Sequence, residues 1–441
     1  MSDSLLPYYR AEIEALRSDA AEFSRAFPKL AERLRIAGTT SDDPHVERLL
    51  EGAAFLGARV QHRLDDEFPE LTDALLGVLY PHYLAPFPSC LIARYASAPD
   101  APGVVSVPRD SAIETPPVNG EICTFRTAAP LSVWPVEIEQ ARFSGVPLPA
   151  PENRYARDAQ AVLHLSLRCA SPDRKFSDLK MDRLRLFLGP SSPASLQLHE
   201  MLCGHAMSVA YADGMGDPRP VVPVGERIAP AGFAPDENLL PWPARSFSGF
   251  RLLTEFFGFP EKFLFVDLLN VPSERFGNKM DVFVYLDQDA PELARSVNKD
   301  SVQLNCVPAV NLFPMRCEPI PVDHTAIEMR VSPDRRRAEA LEVWSIEQIR
   351  ETWEGGSRDW RAFYRLTRAL PDSAIKSPSY VPVRRSLGAT RQGERPVGGT
   401  EVFVAPCDVD FDADSERQSV LTIDALCTNR DLPRYLPFGG D

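Results

Sequence analysis

The feature that most limits how this chain can fold is an apolar repeat near its N-terminus. Its members recur at alternating spacings of four and three, which places them along one side of an α-helix as a heptad seam. They are Tyr9, Ile13, Leu16, Ala20, Phe23, Phe27, Leu30 and Leu34. Because proline lacks a backbone donor, Pro28 predicts a break in this helix and a second short helix from Pro28 to about Ile36.

Two further helices are predicted before residue 90. Asp43 followed by Pro44 is typical of a helix start, and the segment after it again carries apolar residues at heptad-like spacing. Those assigned to the seam are Val46, Leu50, Ala53 and Val60, with Leu49, Leu56 and Leu64 beside them. The third helix follows Pro69 and ends before Pro81. We therefore expect a helical bundle over residues 1–90, and spacing alone favours a seam that the other helices of the same chain cover.

After about residue 90 the apolar period changes from helical to two. Leu163, Leu165 and Leu167 alternate with polar residues, which is typical of half-buried antiparallel strands. Short strands are expected near 104–108, 121–127, 133–143, 263–268, 281–286, 301–307, 325–331, 341–346, 401–411 and 419–427, and helices near 193–203 and 246–258. The predicted fold class is α+β. The helical bundle is followed by sandwich-like or barrel-like β-rich domains over 91–240 and 241–441, with a few inserted helices.

Composition excludes several classes of function. The formal net charge of −14 argues against a protein that neutralises phosphate, so no nucleic-acid partner is expected. The N-terminus does not resemble a signal peptide, and no run approaches the roughly 18 apolar residues of a membrane-spanning helix. We expect a cytoplasmic protein with no direct membrane insertion. Its eight cysteines lack C-x-x-C spacing and are expected to be reduced.

Two motifs suggest metal binding without completing a site. His199 and Glu200 begin like a zinc-protease motif, but Cys203 stands where the second histidine is required, with His205 nearby. The alternating acidic residues between Asp408 and Glu416 resemble a calcium loop that lacks its glycine and its final glutamate. A polar helix end and a strand with one acidic face explain the two patterns better, so no metal residue is assigned.

Motifs for catalysis are also missing. The sequence contains no phosphate-cradling glycine loop and no G-x-S-x-G elbow for a nucleophilic serine. No catalytic or cofactor-binding residue is assigned, no cofactor is expected, and the chain is not expected to be an enzyme. The aromatic run from Phe256 to Phe265 is expected to be mainly core, with an interface hot spot as the alternative.

Several longer strings resemble one family. The N-terminal string LLPYYR, the string DPHVERLL from Asp43 and the run from Leu64 to Pro86 are similar to the TssF (VasA, ImpG) family. Further similar strings begin at Phe256, Asn305 and Leu426, in the order of the family, so the resemblance spans nearly the whole chain. Members of this family usually continue beyond the Leu-Pro-Phe-Gly-Gly string, so the resemblance implies that a C-terminal part of the family is missing from this chain.

The resemblance implies a structural role in the baseplate of a type VI secretion system. Two TssF copies would wrap one TssG, forming wedges that carry TssK and TssE and surround the VgrG spike. The baseplate would assemble at the cytoplasmic face of the inner membrane and start polymerisation of the TssB/TssC sheath. No catalytic residue or cofactor is implied.

Alternatives remain at this point. The resemblance favours a seam in residues 1–90 that serves in assembly, covered by helices of TssG and of a second TssF copy. The alternative is that the other helices of the same chain cover it. A cell-wall hydrolase would need an export route and an acid–base or nucleophile motif, and the sequence shows neither. A soluble β-rich ligand-binding module would need no such motif, and would act as a monomer.

Overall fold

The computed structural model describes residues 5–38, 40–41, 43–66, 69–97, 103–190, 192–322, 326–364, 378–386, 399–407 and 418–437. The chain divides into two compact units, residues 1–84 and 85–441. Their composition agrees with the predicted α+β class, because the first is helical and the second is dominated by strands.

The first unit consists of helices and one short hairpin. Its elements are α1 (Leu6–Ala26), α2 (Pro28–Arg33), β1 (Ile36–Ala37), β2 (Thr40–Ser41), α3 (Pro44–Asp66), α4 (Pro69–Leu79) and a 3₁₀ turn over Pro81–Tyr83. The break predicted at Pro28 is confirmed, since α2 begins there as a separate helix, but α2 ends at Arg33 and Ile36 begins β1. The helix start at Asp43 is also confirmed, because its side chain accepts a hydrogen bond of 2.9 Å from the backbone N–H of His45.

Helices α1 and α3 pack against each other in antiparallel directions. Arg17 donates to Glu47 at 2.8 Å near one end, and the rings of Tyr8 and His62 lie 5.2 Å apart near the other. Small residues mark the contact, since Ala54 and Ala58 on α3 have no exposed surface. The two helices therefore form a hairpin that covers one face of each.

The second unit contains the remaining strands and four helices in the described residues. Its helices are α5 (Phe176–Leu179), α6 (Pro193–Gly204), α7 (Ser248–Gly258) and α8 (Pro291–Ser296). Short 3₁₀ turns lie at Pro235–Glu237, Pro260–Phe263, Ser273–Arg275, Lys299–Ser301, Arg335–Arg337 and Leu432–Tyr435. The helices predicted near 193–203 and 246–258 are confirmed as α6 and α7.

The strands of this unit are short and mostly antiparallel. They are β3 (Cys90–Arg94), β4 (Val105–Val107), β5 (Ala112–Glu114), β6 (Thr124–Thr127), β7 (Leu131–Val133), β8 (Val136–Gly145), β9 (Ala161–Cys169), β10 (Arg183–Phe187), β11 (Ala206–Ala212), β12 (Ile228–Pro230), β13 (Phe265–Leu269), β14 (Lys279–Leu286), β15 (Cys306–Val310), β16 (Phe313–Arg316), β17 (Ile320–Val322), β18 (Met329–Val331), β19 (Glu342–Trp353), β20 (Gly356–Ala362), β21 (Ser379–Ser386), β22 (Thr400–Cys407) and β23 (Ser419–Thr428). The strand predicted near 301–307 begins later, because Asn298 caps the turn over Lys299–Ser301 with a 2.8 Å hydrogen bond.

These strands form several sheets. The orders are β11-β14-β9-β8, β10-β13-β12, β3-β15-β6-β5, and β16-β23-β19-β20-β21-β22-β18 with β17 on β23. A two-stranded pair joins β4 and β7. Among the described pairs, β20 with β21 is parallel and the others are antiparallel.

Sheets cross the predicted division between 91–240 and 241–441. Strand β9 pairs with β14 over eight residue pairs, from Ala161 with Leu286 to Arg168 with Lys279, and β10 pairs with β13. Residues 85–441 form one compact unit. Alternation of apolar residues identifies strands but does not say which of them are neighbours.

The largest core lies under the sheet that contains β9. Leu163, Leu165 and Leu167 enter it together with residues of β10, β13 and α6. The polar positions of β9 were expected to face solvent, but His164 and Ser166 are also buried, at 4% and 3% exposure. The reason is that a second apolar cluster, which includes Phe283, covers the other face of the sheet.

Candidate partner-binding surfaces

The zinc-like motif does not form a metal centre in the described part of the chain. His199 and Cys203 lie one turn apart on α6, with Nε2 and Sγ 3.7 Å from each other. His205 instead places its Nδ1 2.8 Å from a carboxylate oxygen of Asp287. Across the described residues, no group of three or more His, Cys, Asp or Glu side chains is arranged to hold a metal ion.

The His199–Cys203 contact is also poorly suited to nucleophilic catalysis. Burial lowers the pKa of His199 and raises the pKa of the Cys203 thiol. Both shifts favour the neutral imidazole and the neutral thiol, whereas a reactive cysteine needs the thiolate. The contact is therefore a packing feature of α6. The predicted acidic strand face between Asp408 and Glu416 lies outside the described residues.

The seam of α1 is covered only in part by helix α3. Tyr9, Ile13, Leu16 and Phe23 are half-buried, and Ala20 is buried. The last three members lie beyond α1: Phe27 joins α1 to α2, Leu30 is on α2 and Leu34 follows α2. Their exposures are 53%, 49% and 44%. The seam thus divides into a covered part beside α3 and an uncovered part beyond Phe23.

Helix α3 carries a longer uncovered apolar face. Val46 and Leu50 are half-buried, whereas Ala53 is exposed and Val60 is 60% exposed. Leu49, Leu56 and Leu64 lie on the same side as Val60, with exposures of 73%, 61% and 50%. At about 100° per residue, this side lies roughly a third of a turn from the Ala54 and Ala58 face that packs on α1. We refer to Leu49, Ala53, Leu56, Val60 and Leu64 as the α3 seam.

Helix α7 in the second unit buries charged side chains and exposes apolar ones, the opposite of a usual surface helix. Its buried residues are Arg251 and Glu255, while its outward side carries Phe250, Leu253, Phe256 and Phe257. With Phe247 just before the helix, we call these residues the α7 aromatic face; their exposures range from 46% for Phe250 to 81% for Phe257. Apolar side chains on an outward face, above buried charges, are typical of a surface that a partner covers.

Hydrogen bonds hold the buried charges of α7. Arg251 donates to the carbonyl oxygens of Phe233 and Ala234 at 2.9 and 3.1 Å. Glu255 accepts from the backbone N–H of Leu239 at 2.8 Å and from the ammonium group of Lys262. Burial lowers the pKa of Lys262, while the neighbouring Glu255 acts in the opposite direction. This network fixes which side of α7 faces inward.

Comparisons with known proteins identify the family of the chain. The family model described as "Type VI secretion system, TssF" matches residues 1–441. The chain belongs to the TssF family. It is 35% identical over 457 aligned residues to the type VI secretion system component TssF1 of Pseudomonas aeruginosa, an alignment that covers 100% of this chain and 73% of that relative.

A solved structure supports the same assignment. The chain is similar to a chain in a cryo-electron microscopy structure of the type VI secretion system TssK-TssF-TssG baseplate subcomplex, with a TM-score of 0.65 and 26% identity. The similarity covers 88% of this chain and 69% of that one. Within the described residues, no helix is both long enough and apolar enough to cross a membrane.

Sequence analysis gave an interface hot spot only as the alternative for the aromatic run that includes Phe256 and Phe257. The run from Phe256 was expected to be mainly core, and Phe263 and Phe265 are indeed buried, but Phe256 and Phe257 are exposed at 50% and 81%. A signal was present, because Arg251 and Glu255 are four residues apart and so share a side of the helix, away from the phenylalanines.

Proposed function

We propose that this chain is a non-enzymatic structural component of a type VI secretion baseplate, in which it forms a wedge with TssG and a second copy of itself. The observation that carries the proposal is the α3 seam, an exposed row of apolar side chains at heptad spacing in a chain of the TssF family. This row is suited to another helix, because a and d positions pack into the holes of a facing helix.

The energetics favour a partner over solvent. Burying one large apolar side chain is worth roughly 1.5–3 kcal/mol, and four members of the α3 seam are leucine or valine with at least half their surface exposed. Helix α1 packs on the Ala54 and Ala58 side and so does not cover them. We assign the α3 seam, together with Phe27, Leu30 and Leu34, to helices of TssG and of the second copy.

The α7 aromatic face is proposed as a second contact within the same assembly. Aromatic side chains that become fully desolvated dominate the binding energy of many interfaces. The similar chain in the solved complex is accompanied by both TssK and TssG. We propose that the α7 aromatic face is buried when these two subunits assemble on the chain.

The wider role follows from the proposed wedge. The wedges would carry TssK and TssE, surround the VgrG spike and start polymerisation of the TssB/TssC sheath. Assembly would take place at the cytoplasmic face of the inner membrane. The net charge of −14 fits contacts with proteins and not with nucleic acid.

Co-expression with TssG from the same gene cluster tests the proposal. The complex is purified by size exclusion, and its mass is measured by light scattering. A stable complex with more than one copy of this chain per TssG is expected. A monomer that does not bind TssG would contradict the wedge and would favour a free-standing ligand-binding module.

A further inference from the structure

Among the strands that the structure describes, none pairs with the outer edge of β8. It is the last strand in the order β11-β14-β9-β8, and its other neighbours are α8 and the turn over Lys299–Ser301. A free strand edge presents unpaired backbone N–H and C=O groups, which favour pairing with another extended chain. The position of these groups on β8 decides what it can bind.

The ladder between β8 and β9 shows which groups face outward. The N–H of Ala170 donates to the carbonyl oxygen of Pro135, and in an antiparallel pair every second residue bonds to the neighbouring strand. Beyond the bulge in β8, the register places Arg142 opposite His164, so the backbone groups of Arg142 bond to β9. The backbone groups of Ala141 and Phe143 therefore face away from β9. None of the hydrogen bonds among described residues involves these outward groups.

A groove runs beside this edge. It has a volume of about 510 Å³ and is lined by residues 139–144 of β8 on one side. The other side consists of Ala294, Val297, Asn298 and Lys299, at the end of α8 and the start of the next turn. Two of these four residues are small and apolar, so the groove offers both backbone partners and apolar contact.

The charge available in the groove is positive. Arg142 and Lys299 both line it, and neither has an ion pair with any other residue in the described ranges. Glu139 lines it as well, but its carboxylate is already engaged by Arg168 at 3.0 Å and by Lys279 at 3.8 Å. An acidic ligand would therefore meet two unpaired cations.

We propose that β8 binds an extended acidic segment of another protein, about five residues long, which adds a further strand to the sheet. The backbone groups of Ala141 and Phe143 would pair with the segment, and Arg142 and Lys299 would select acidic side chains. A second copy of the chain fits less well, because antiparallel pairing of two β8 edges would bring their Arg142 side chains close together.

The test uses the full chain and two labelled hexapeptides, one alternating glutamate with valine and one alternating lysine with valine. Fluorescence anisotropy should show binding of the acidic peptide and at least tenfold weaker binding of the basic one. Hydrogen exchange should slow at the amides of Ala141 and Phe143 when the acidic peptide is present. Equal binding of both peptides, or protection elsewhere in the chain, would overturn the proposal.

Variants separate the groove from general charge attraction. Arg142→Glu should weaken binding of the acidic peptide at least tenfold, and adding Lys299→Glu should weaken it further. Arg219→Glu is the control matched to Arg142→Glu, because it changes the net charge equally, and Arg219 is exposed, forms no side-chain ion pair with a described residue and lies outside the groove. If Arg219→Glu weakened binding as much as Arg142→Glu, or if the wild-type chain formed dimers through β8, the proposal would be wrong.

Discussion

Lys262 and Glu255 form an ion pair in which neither side chain has any solvent exposure. The pair lies beneath α7, with Arg251 one turn before Glu255 on the same buried side. Charges held inside by specific hydrogen bonds leave the phenylalanines of the helix on the outside. The buried pair thus determines the orientation of the proposed partner surface.

Breaking this pair should be costly. Lys262→Met leaves the Glu255 carboxylate buried without its cation, and a loss of about 3–5 kcal/mol in the free energy of unfolding is expected. Adding Glu255→Gln should restore much of this loss, because glutamine is neutral and can still accept from Leu239. Urea denaturation of the two variants measures both effects. If the double variant were less stable than Lys262→Met, the electrostatic explanation would fail.

The α7 aromatic face should matter for assembly and not for folding. Phe257→Asp changes a side chain that is 81% exposed, so the melting temperature should shift by less than about 2 °C. Recovery of the complex with TssG and TssK should fall at least fivefold. Ile327→Asp is the matched control, because Ile327 is an apolar residue with 86% exposure outside α7. If both variants reduced recovery of the complex equally, the assignment of the α7 aromatic face to TssG and TssK would be contradicted.

Gly232 should not tolerate a side chain. Its φ is +94°, and a Cβ atom there would lie 2.6 Å from the carbonyl oxygen of Lys262. Gly232→Ala is therefore expected to destabilise the chain by about 2–4 kcal/mol, since backbone strain and a backbone clash add together. Gly52→Ala, in the middle of α3 with nothing within 4 Å, should instead stabilise by up to about 1 kcal/mol. Thermal unfolding of both variants checks the contrast.

Glu351 should make stability depend on acid pH. Burial alone would raise its pKa, but hydrogen bonds from Arg358 at 2.6 Å and Trp360 at 2.8 Å outweigh burial and lower the pKa. The unfolded chain therefore takes up this proton more readily, at the ordinary value of about 4.3. The stabilisation is present above that pH and is lost as pH falls through the lowered folded value.

Comparison of wild type with Glu351→Gln measures this contribution. Unfolding free energies are determined between pH 3 and pH 7, and the difference between the two proteins should shrink towards the acid end. A difference that stays constant over this range would mean that Glu351 contributes through packing alone.

The two units differ in how far sequence predicted them. In the first unit, spacing predicted the helices, and Pro28 and Asp43 marked where helices end and begin. Local signals suffice there because helices are formed by neighbours in sequence. They could not show which half of each seam α1 and α3 cover, since that depends on Ala54 and Ala58 allowing close approach.

In the second unit, the positions of the strands in the sequence were predicted better than their pairing in the sheets. Pairing of β9 with β14 joins residues more than one hundred positions apart, and no local pattern encodes that choice. For α7, the spacing of Arg251 and Glu255 placed both on one side of the helix but did not show that this side is buried. Arg251 and Glu255 are buried only because distant carbonyl groups, a distant N–H and Lys262 satisfy them.

Binding of TssG by the α3 seam is the central claim, and quantitative co-purification tests it most directly. Leu49, Leu56 and Val60 are changed together to aspartate, and recovered TssG is compared with that of wild type. Arg48→Asp is the control, because it places an aspartate on another side of the same helix. We predict at least a tenfold loss of TssG for the triple variant and no more than a twofold loss for the control. Full recovery of TssG by a folded triple variant would contradict the account.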